Sequence, residues 1–187
     1  KRALVHFAID PNEIHYTTKL NEEKTEFFPF NKGREYTVNN KKFTAAGNPD
    51  GPSYKTEYFW KEILQKDSWL DVIGNFIPLQ SKQILGGQNK EWLIFPRYHQ
   101  LDAVTKLTNA TKLGERYLIQ HSTGGGKSNT IGWLAYKLFS LFDEQGQKPV
   151  FDSVLVISDR VVIVRQLGET IQQFEQTAGI VDEIKNT

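Results

Sequence analysis

Apolar positions come in short, closely spaced runs at the start of the chain. Ala3 to Ile9 is such a run, stopped by the turn cluster Asp10-Pro11-Asn12, and it predicts a strand. Ile14 to Leu20 and Thr25 to Phe28 are rich in β-branched and aromatic residues and flank the polar tetrad Asn21-Glu22-Glu23-Lys24, which predicts a hairpin. From Pro29 to Ser53 the pattern turns polar, leaving only Phe30, Tyr36, Val38 and Phe43 to bury, and reads as a long loop. Helical spacing begins near Lys55 with Phe59, Trp60, Ile63 and Leu64. Ser68 and Asp71 resemble a capping box opening a second helix that buries Trp69, Leu70, Ile73, Phe76 and Ile77. The polar stretch Gln80 to Lys90, with Gly86-Gly87 inside it, reads as a boundary. After Pro96 a helical pattern runs to Leu107. Then come Tyr117 to Gln120 as a strand, a glycine run, a helix from Lys127 to about Phe142, a strand at Val154 to Ile157, and a helix from about Val162 to Phe174. Strand, loop, helix, strand, helix is a βαβα unit and predicts a parallel sheet of α/β type.

Composition narrows the class of molecule. Lys plus Arg is 23 and Asp plus Glu is 22, a net charge of +1, so any charged partner must be met by local patches. The 187 residues are 39% hydrophobic and 12% aromatic, enough to build a core. The absence of cysteine excludes a disulfide scaffold, thiolate zinc sites and cysteine nucleophiles, and fits a reducing, cytoplasmic setting. No stretch approaches the length a membrane helix requires, and the Lys1-Arg2 start lacks a signal-peptide cleavage site, so a soluble protein without a membrane partner is expected. Methionine is absent even at position 1, which suggests a piece of a longer polypeptide. The four histidines, His6, His15, His99 and His121, have no metal-ligand spacing.

The strongest chemical signal is His121-Ser122-Thr123-Gly124-Gly125-Gly126-Lys127-Ser128. A glycine-rich turn between a strand and a helix lets backbone N–H groups converge on phosphate oxygens. The helix N-terminus adds partial positive charge, a lysine reaches the β/γ-phosphates, and a terminal hydroxyl holds Mg²⁺. Ser122, Thr123 and Gly124 to Gly126 are therefore the candidate phosphate cradle, Lys127 the catalytic cation, and Ser128 the metal ligand, with ATP and Mg²⁺ as cofactors. The strict pattern G-x-x-x-x-G-K-[ST] fails at its first position, where His121 replaces glycine. The bland alternative is a glycine turn with a chance Lys-Ser behind it. A guanine-reading N-K-x-D is lacking, because Asn31-Lys32-Gly33-Arg34 ends in arginine and lies far upstream.

Phe95-Pro96-Arg97-Tyr98-His99-Gln100 resembles the adenine-reading glutamine motif of superfamily 2 helicases, which makes Gln100 the candidate adenine contact. Its alternative reading is an exposed glutamine on a first helical turn. Val154 to Ile157 ends in Ser158-Asp159-Arg160, with Arg165-Gln166-Leu167 behind, at the strand edge where open α/β sheets bind ligands. These blocks, in order with Leu4 to Ala8, Thr17 to Leu20, Phe30 to Gly33, Gly47 to Pro49 and Leu64 to Ser68, resemble the restriction (R) subunit of type I restriction-modification enzymes over nearly the whole chain.

The resemblance implies an α/β architecture: part of a RecA-like P-loop parallel sheet preceded by the C-terminal part of an α+β nuclease-type domain. Residues 1–54 would be the nuclease tail, 55–85 a helical connection, and 86–187 the first part of motor lobe one. It implies ATP-dependent translocation of double-stranded DNA coupled to endonuclease cleavage, with methylation and specificity subunits as partners. Ser158, Asp159 and Arg160 would be the DNA contact, against ordinary surface charge as the alternative for Arg160 and Arg165. Two elements of such an enzyme are missing from the sequence. Pro49-Asp50 has no E-x-K at a suitable distance, and Glu22-Glu23-Lys24 precedes it, so the nuclease carboxylates lie elsewhere. No D-E-x-H box follows the phosphate loop, so this stretch alone is expected to hydrolyse ATP poorly. Two other readings stay open: another superfamily 2 ATPase without a nuclease, and a non-enzymatic nucleotide-binding remnant.

Overall fold

The opening apolar runs do form a sheet. In the computed structural model, which describes residues 3–83, 89–111, 114–143, 145–159, 161–172, 181, 182 and 184, β1 (His6–Ile9), β2 (Ile14–Thr17) and β3 (Phe28–Pro29) pair antiparallel in that order. The register sets Phe7 opposite Tyr16, and Tyr16 opposite Phe28. Asp10 makes the first turn: its Oδ1 accepts from the amides of Asn12 at 2.6 Å and Glu13 at 2.9 Å, and those bonds hold its carboxyl below the usual carboxylate range.

The stretch expected as a long loop contains an element of its own. β4 (Arg34–Val38) and β5 (Lys41–Ala45) form a hairpin with Tyr36 opposite Phe43. Asn39 and Asn40 both have positive φ, 49° and 60°, the conformation a two-residue hairpin turn demands and asparagine tolerates. Gly33 (φ 81°) and Gly47 (φ 94°) stand at its feet, joined by a 2.8 Å bond from the Gly33 amide to the Gly47 carbonyl. Beneath them the buried Asn48 carboxamide accepts from the Lys32 amide at 2.8 Å. It donates to the Asn12 carbonyl at 2.8 Å and to Asn31 Oδ1 at 2.9 Å.

The helical pair also departs from its expected form. Residues Phe59–Ile63 make a π-helical turn, with the Leu64 amide bonded to the Phe59 carbonyl at 2.8 Å. The helix that follows, α1 (Lys66–Asn75), starts two residues before Ser68, so Ser68 is interior and no capping box forms there. Gln65 takes the cap position, and its carboxamide donates instead to the Trp60 carbonyl at 2.7 Å. Val72 and Phe76 are the residues of this segment that go under, while Leu70 and Ile73 stay exposed. The polar stretch after it pairs as β6 (Leu79–Gln83) with β7 (Asn89–Leu93); Gly86-Gly87 lie outside the described residues.

Chain contacts separate two units, Lys1–His99 and Gln100–Thr187. Within the first unit one aromatic cluster joins residues from both sides of positions 54 and 85. Phe30 is fully buried with Phe7, Tyr16 and Phe59 at 6.1 Å and Phe95 and Tyr98 at 5.7 Å, centroid to centroid, several of them edge to face. Tyr16 donates its hydroxyl to the Phe95 carbonyl at 2.9 Å, and Tyr58 to the Phe30 carbonyl.

In the second unit α3 (Lys127–Phe139) packs against α4 (Val161–Gln172), burying Trp133, Leu167 and Ile171. Helix α2 (Tyr98–Ala110) contributes the buried Leu101 and Val104. The two runs expected as parallel strands enter no hydrogen-bonded ladder among the described residues. Tyr117 to Gln120 and Val154 to Ile157 run between helices, with Leu118 93% and Ile157 81% exposed. Every described ladder pairs segments adjacent in sequence and antiparallel. A parallel strand needs a partner brought by a crossover, and neither run meets one among the described residues. No helix among those residues is long and apolar enough to cross a membrane.

Burial pushes the Tyr16 phenol from its ordinary value near 10 up to about 12, and burial raises Tyr58 as well. Below the ordinary value both folded and unfolded chains keep the proton. Above it the unfolded chain ionises first, so stability falls as pH rises through the window from 10 to 12. Tyr16→Phe should lower neutral-pH stability by about 1 kcal/mol through the lost hydrogen bond and lose less than wild type on going alkaline. Urea unfolding at neutral and strongly alkaline pH measures both.

Candidate phosphate-binding loop

The glycine run ahead of α3 is built as its composition requires. Gly124 and Gly126 adopt left-handed backbone, φ 75° and 73°, which side chains resist, and Gly126 is the N-cap of α3. Gly125, between them, bonds its amide to the Ser122 carbonyl at 3.1 Å. A Cβ at Gly125 would stand 3.0 Å from that same oxygen, so this glycine is needed for close approach. A glycine turn with left-handed residues at a helix N-terminus is a backbone shape in which anion-binding concavities occur. The first-turn amides of α3 have no carbonyl four residues back, and the helix dipole adds positive charge there.

His121 fits this backbone without strain. It is not among the positive-φ residues, so the departure from glycine at that position needs no special conformation. The carbonyls of His121 and Ser122 both face Lys127, whose ammonium donates to them at 3.1 and 2.8 Å. Lys127 is exposed and folds back over the loop; Ser128 is half-buried on the first turn of α3, and Ser122 and Thr123 are exposed on the approach. A nest of amides, a helix N-terminus, an ammonium and a hydroxyl together suit a polyphosphate with its divalent cation.

Gln100 takes a different position from the exposed glutamine of the bland reading. It is buried at 4% exposure, and its Nε2 donates to the Gly126 carbonyl at 2.9 Å. A Cβ on Gly126 would collide with that nitrogen. Thr130, which the pattern gave no reason to single out, completes the junction. Its amide and its hydroxyl both point at the Gly126 carbonyl, at 3.2 and 3.3 Å. The available signal was its spacing, a hydroxyl residue one helical turn past the N-cap glycine. The structure thus gathers Gln100, His121, Ser122, Gly125, Gly126, Lys127 and Thr130 around one turn.

Ser158 is half-buried and Asp159 exposed, immediately ahead of α4, which packs on the helix carrying the loop. Arg160 lies outside the described residues. Asn31 and Lys32 have structural duties. The Lys32 ammonium bonds both Glu62 carboxylate oxygens at 2.8 Å and lies 4.8 Å from the centre of the Tyr58 ring.

Residues 93–187, just over half of the chain, match the family model described as the type III restriction enzyme, res subunit. No curated protein and no solved structure matches the chain.

The loop geometry makes Gly126 the least replaceable of its glycines. Gly126→Ala should destabilise the fold by about 1–3 kcal/mol, from left-handed strain and the collision with Gln100. In a Gln100→Ala background the steric part disappears, so the same substitution should be milder. Chemical denaturation of the four members of this cycle measures the coupling.

Proposed function

The chain belongs to the family of the type III restriction enzyme res subunit, a superfamily 2 helicase-type domain, and on that premise we propose that it is the ATP-binding part of the restriction subunit of a type I restriction enzyme. That subunit moves double-stranded DNA at the expense of ATP and couples the movement to endonuclease cleavage, in company with methylation and specificity subunits. The observation that carries the reading is the loop from Ser122 to Ser128, with left-handed Gly124 and Gly126 at the N-terminus of α3 and Lys127 folded across it. The ordered blocks from Leu4 to Leu167 support the type I assignment over the broader family.

On this reading residues 1–54 derive from the end of a nuclease domain, and 86–187 belong to a RecA-like lobe, with Tyr117 to Gln120 and Val154 to Ile157 as the runs a parallel sheet would take up. The Gly124 to Gly126 backbone cradles phosphates, and Ser128 ligates Mg²⁺. Lys127 leaves the His121 and Ser122 carbonyls to stabilise charge on the γ-phosphate. Bound Mg-ATP supplies the phosphoanhydride whose cleavage drives the motor. Gln100, fixed to the loop through its Nε2 bond to the Gly126 carbonyl, is the adenine contact on this reading, because a carboxamide both donates to and accepts from an adenine edge. Adenine recognition and loop position then share one carboxamide. Ser158, Asp159 and Arg160, ahead of α4, contact DNA.

Lys127→Ala in the complete enzyme should lower ATP-dependent translocation and restriction by about a hundredfold or more while the circular dichroism spectrum stays unchanged, since the side chain is exposed. Binding of a fluorescent ATP analogue with Mg²⁺ should weaken in parallel. Translocation at the wild-type rate would overturn the assignment.

A further inference from the structure

The hairpin β4–β5 has a surface that the nucleotide site does not use. Its two strands are exposed along nearly their whole length, and Tyr36 and Phe43 are 47% and 43% exposed. A free-standing two-stranded ribbon gains little stability from its own pairing, so exposed aromatic rings on one call for a reason. The register divides the side chains cleanly. Arg34, Tyr36 and Val38 share one face with Ala45, Phe43 and Lys41, while Glu35 and Thr37 share the other with Thr44 and Lys42.

On the first face Tyr36 and Phe43 stack, with centroids 5.6 Å apart and planes 23° from parallel. Arg34 closes one end of this pair and Lys41 the other, separated by about 13 Å of strand. That face carries no carboxylate. The hairpin's one acid, Glu35, is on the reverse side, together with Lys42. Neither Lys41 nor Lys42 makes an ion pair with a described residue. The Asp50 carboxylate lies in the field of Arg34 but is bonded to the Lys55 ammonium at 2.6 Å. The feet of the hairpin are fixed by Gly33, Gly47 and the buried Asn48, so the platform is held from below.

We propose that this face binds a single-stranded polynucleotide, with an unpaired base stacking on the Tyr36–Phe43 pair and backbone phosphates meeting Arg34 and Lys41. Aromatic rings between cations are the chemistry that holds unpaired strands without regard to sequence. A base paired within a duplex offers its edge but not its face, so the platform favours the unpaired form. The proposal stands apart from the nucleotide reading, because the hairpin lies in the first unit and requires neither ATP nor Lys127.

The test is fluorescence anisotropy of the full chain without nucleotide, using labelled oligo(dT) of about 16 nucleotides and a duplex of equal length. Wild type should prefer oligo(dT). Tyr36→Ala should weaken that binding by about tenfold, the loss of one base–aromatic stack, and Tyr36→Trp should retain it. Lys41→Glu, a change at an exposed position, should weaken it too, and the difference from wild type should shrink as salt rises. Circular dichroism of each variant checks that the fold persists. Absence of oligo(dT) binding by wild type, equal affinity in Tyr36→Ala and Lys41→Glu, or a preference for duplex would each overturn the proposal.

Discussion

A backbone amide taken out of water must find an acceptor, and the described ladders of this chain find theirs close by in sequence. β1 pairs with β2, β2 with β3, β4 with β5 and β6 with β7, each a neighbour of the next. The glycine loop ahead of α3 obeys the same constraint on a smaller scale, with Gly125 bonded to Ser122. The longer connections are single backbone bonds, such as the Lys55 amide to the Pro11 carbonyl at 2.9 Å, and a larger set made by side chains. Asn48 joins Lys32, Asn31 and Asn12; Thr56 donates to the Asp10 carbonyl at 2.9 Å; Thr18 donates to the Leu93 carbonyl at 3.1 Å; Gln100 reaches Gly126. Side-chain amides and hydroxyls stitch together elements whose ladders close only between neighbours.

Each unit has a distinct cement. In the first, rings from residues 7 to 98 surround Phe30, and two tyrosine hydroxyls anchor the cluster to backbone carbonyls. In the second, the Gly126 carbonyl gathers donors from α2 and α3 while Trp133 is buried on the same helix as the loop's lysine. The loop is thereby fixed at its C-terminal edge by a residue 26 positions upstream, which is why Gln100 matters to its shape as well as to any ligand.

The loop was legible because its chemistry is written in consecutive residues. Glycines supply left-handed turns, and a lysine follows where the helix begins. The β1–β2–β3 sheet was legible from a short apolar run and β-branched, aromatic segments around a turn cluster. Gln100 was legible as a residue of interest, but its bond to Gly126 depends on tertiary position that spacing alone does not carry. The hairpin β4–β5 was hidden by its polarity, since a ribbon with both faces in water has no buried stripe to betray it. Its trace was the pair Asn39-Asn40, flanked by alternating Tyr36, Val38 and Phe43. Ser68 misled because a hydroxyl residue ahead of apolar spacing resembles a cap, while α1 already begins at Lys66, just after the π-turn at Phe59–Ile63. The apolar runs at Leu118 and Leu155 carry the composition of buried strands and no ladder, so composition specified a tendency and partners decide the outcome.

The posture of Lys127 has a consequence for ligand capture. A lysine side chain ordinarily surrenders about 2 kcal/mol of rotamer freedom when it is immobilised. Here two carbonyl oxygens already hold the ammonium over the glycine turn. On the proposed reading, an arriving anion exchanges neutral dipoles for a full negative charge at a cation that is already ordered. Its capture is then a substitution at a formed site rather than the recruitment of a wandering side chain.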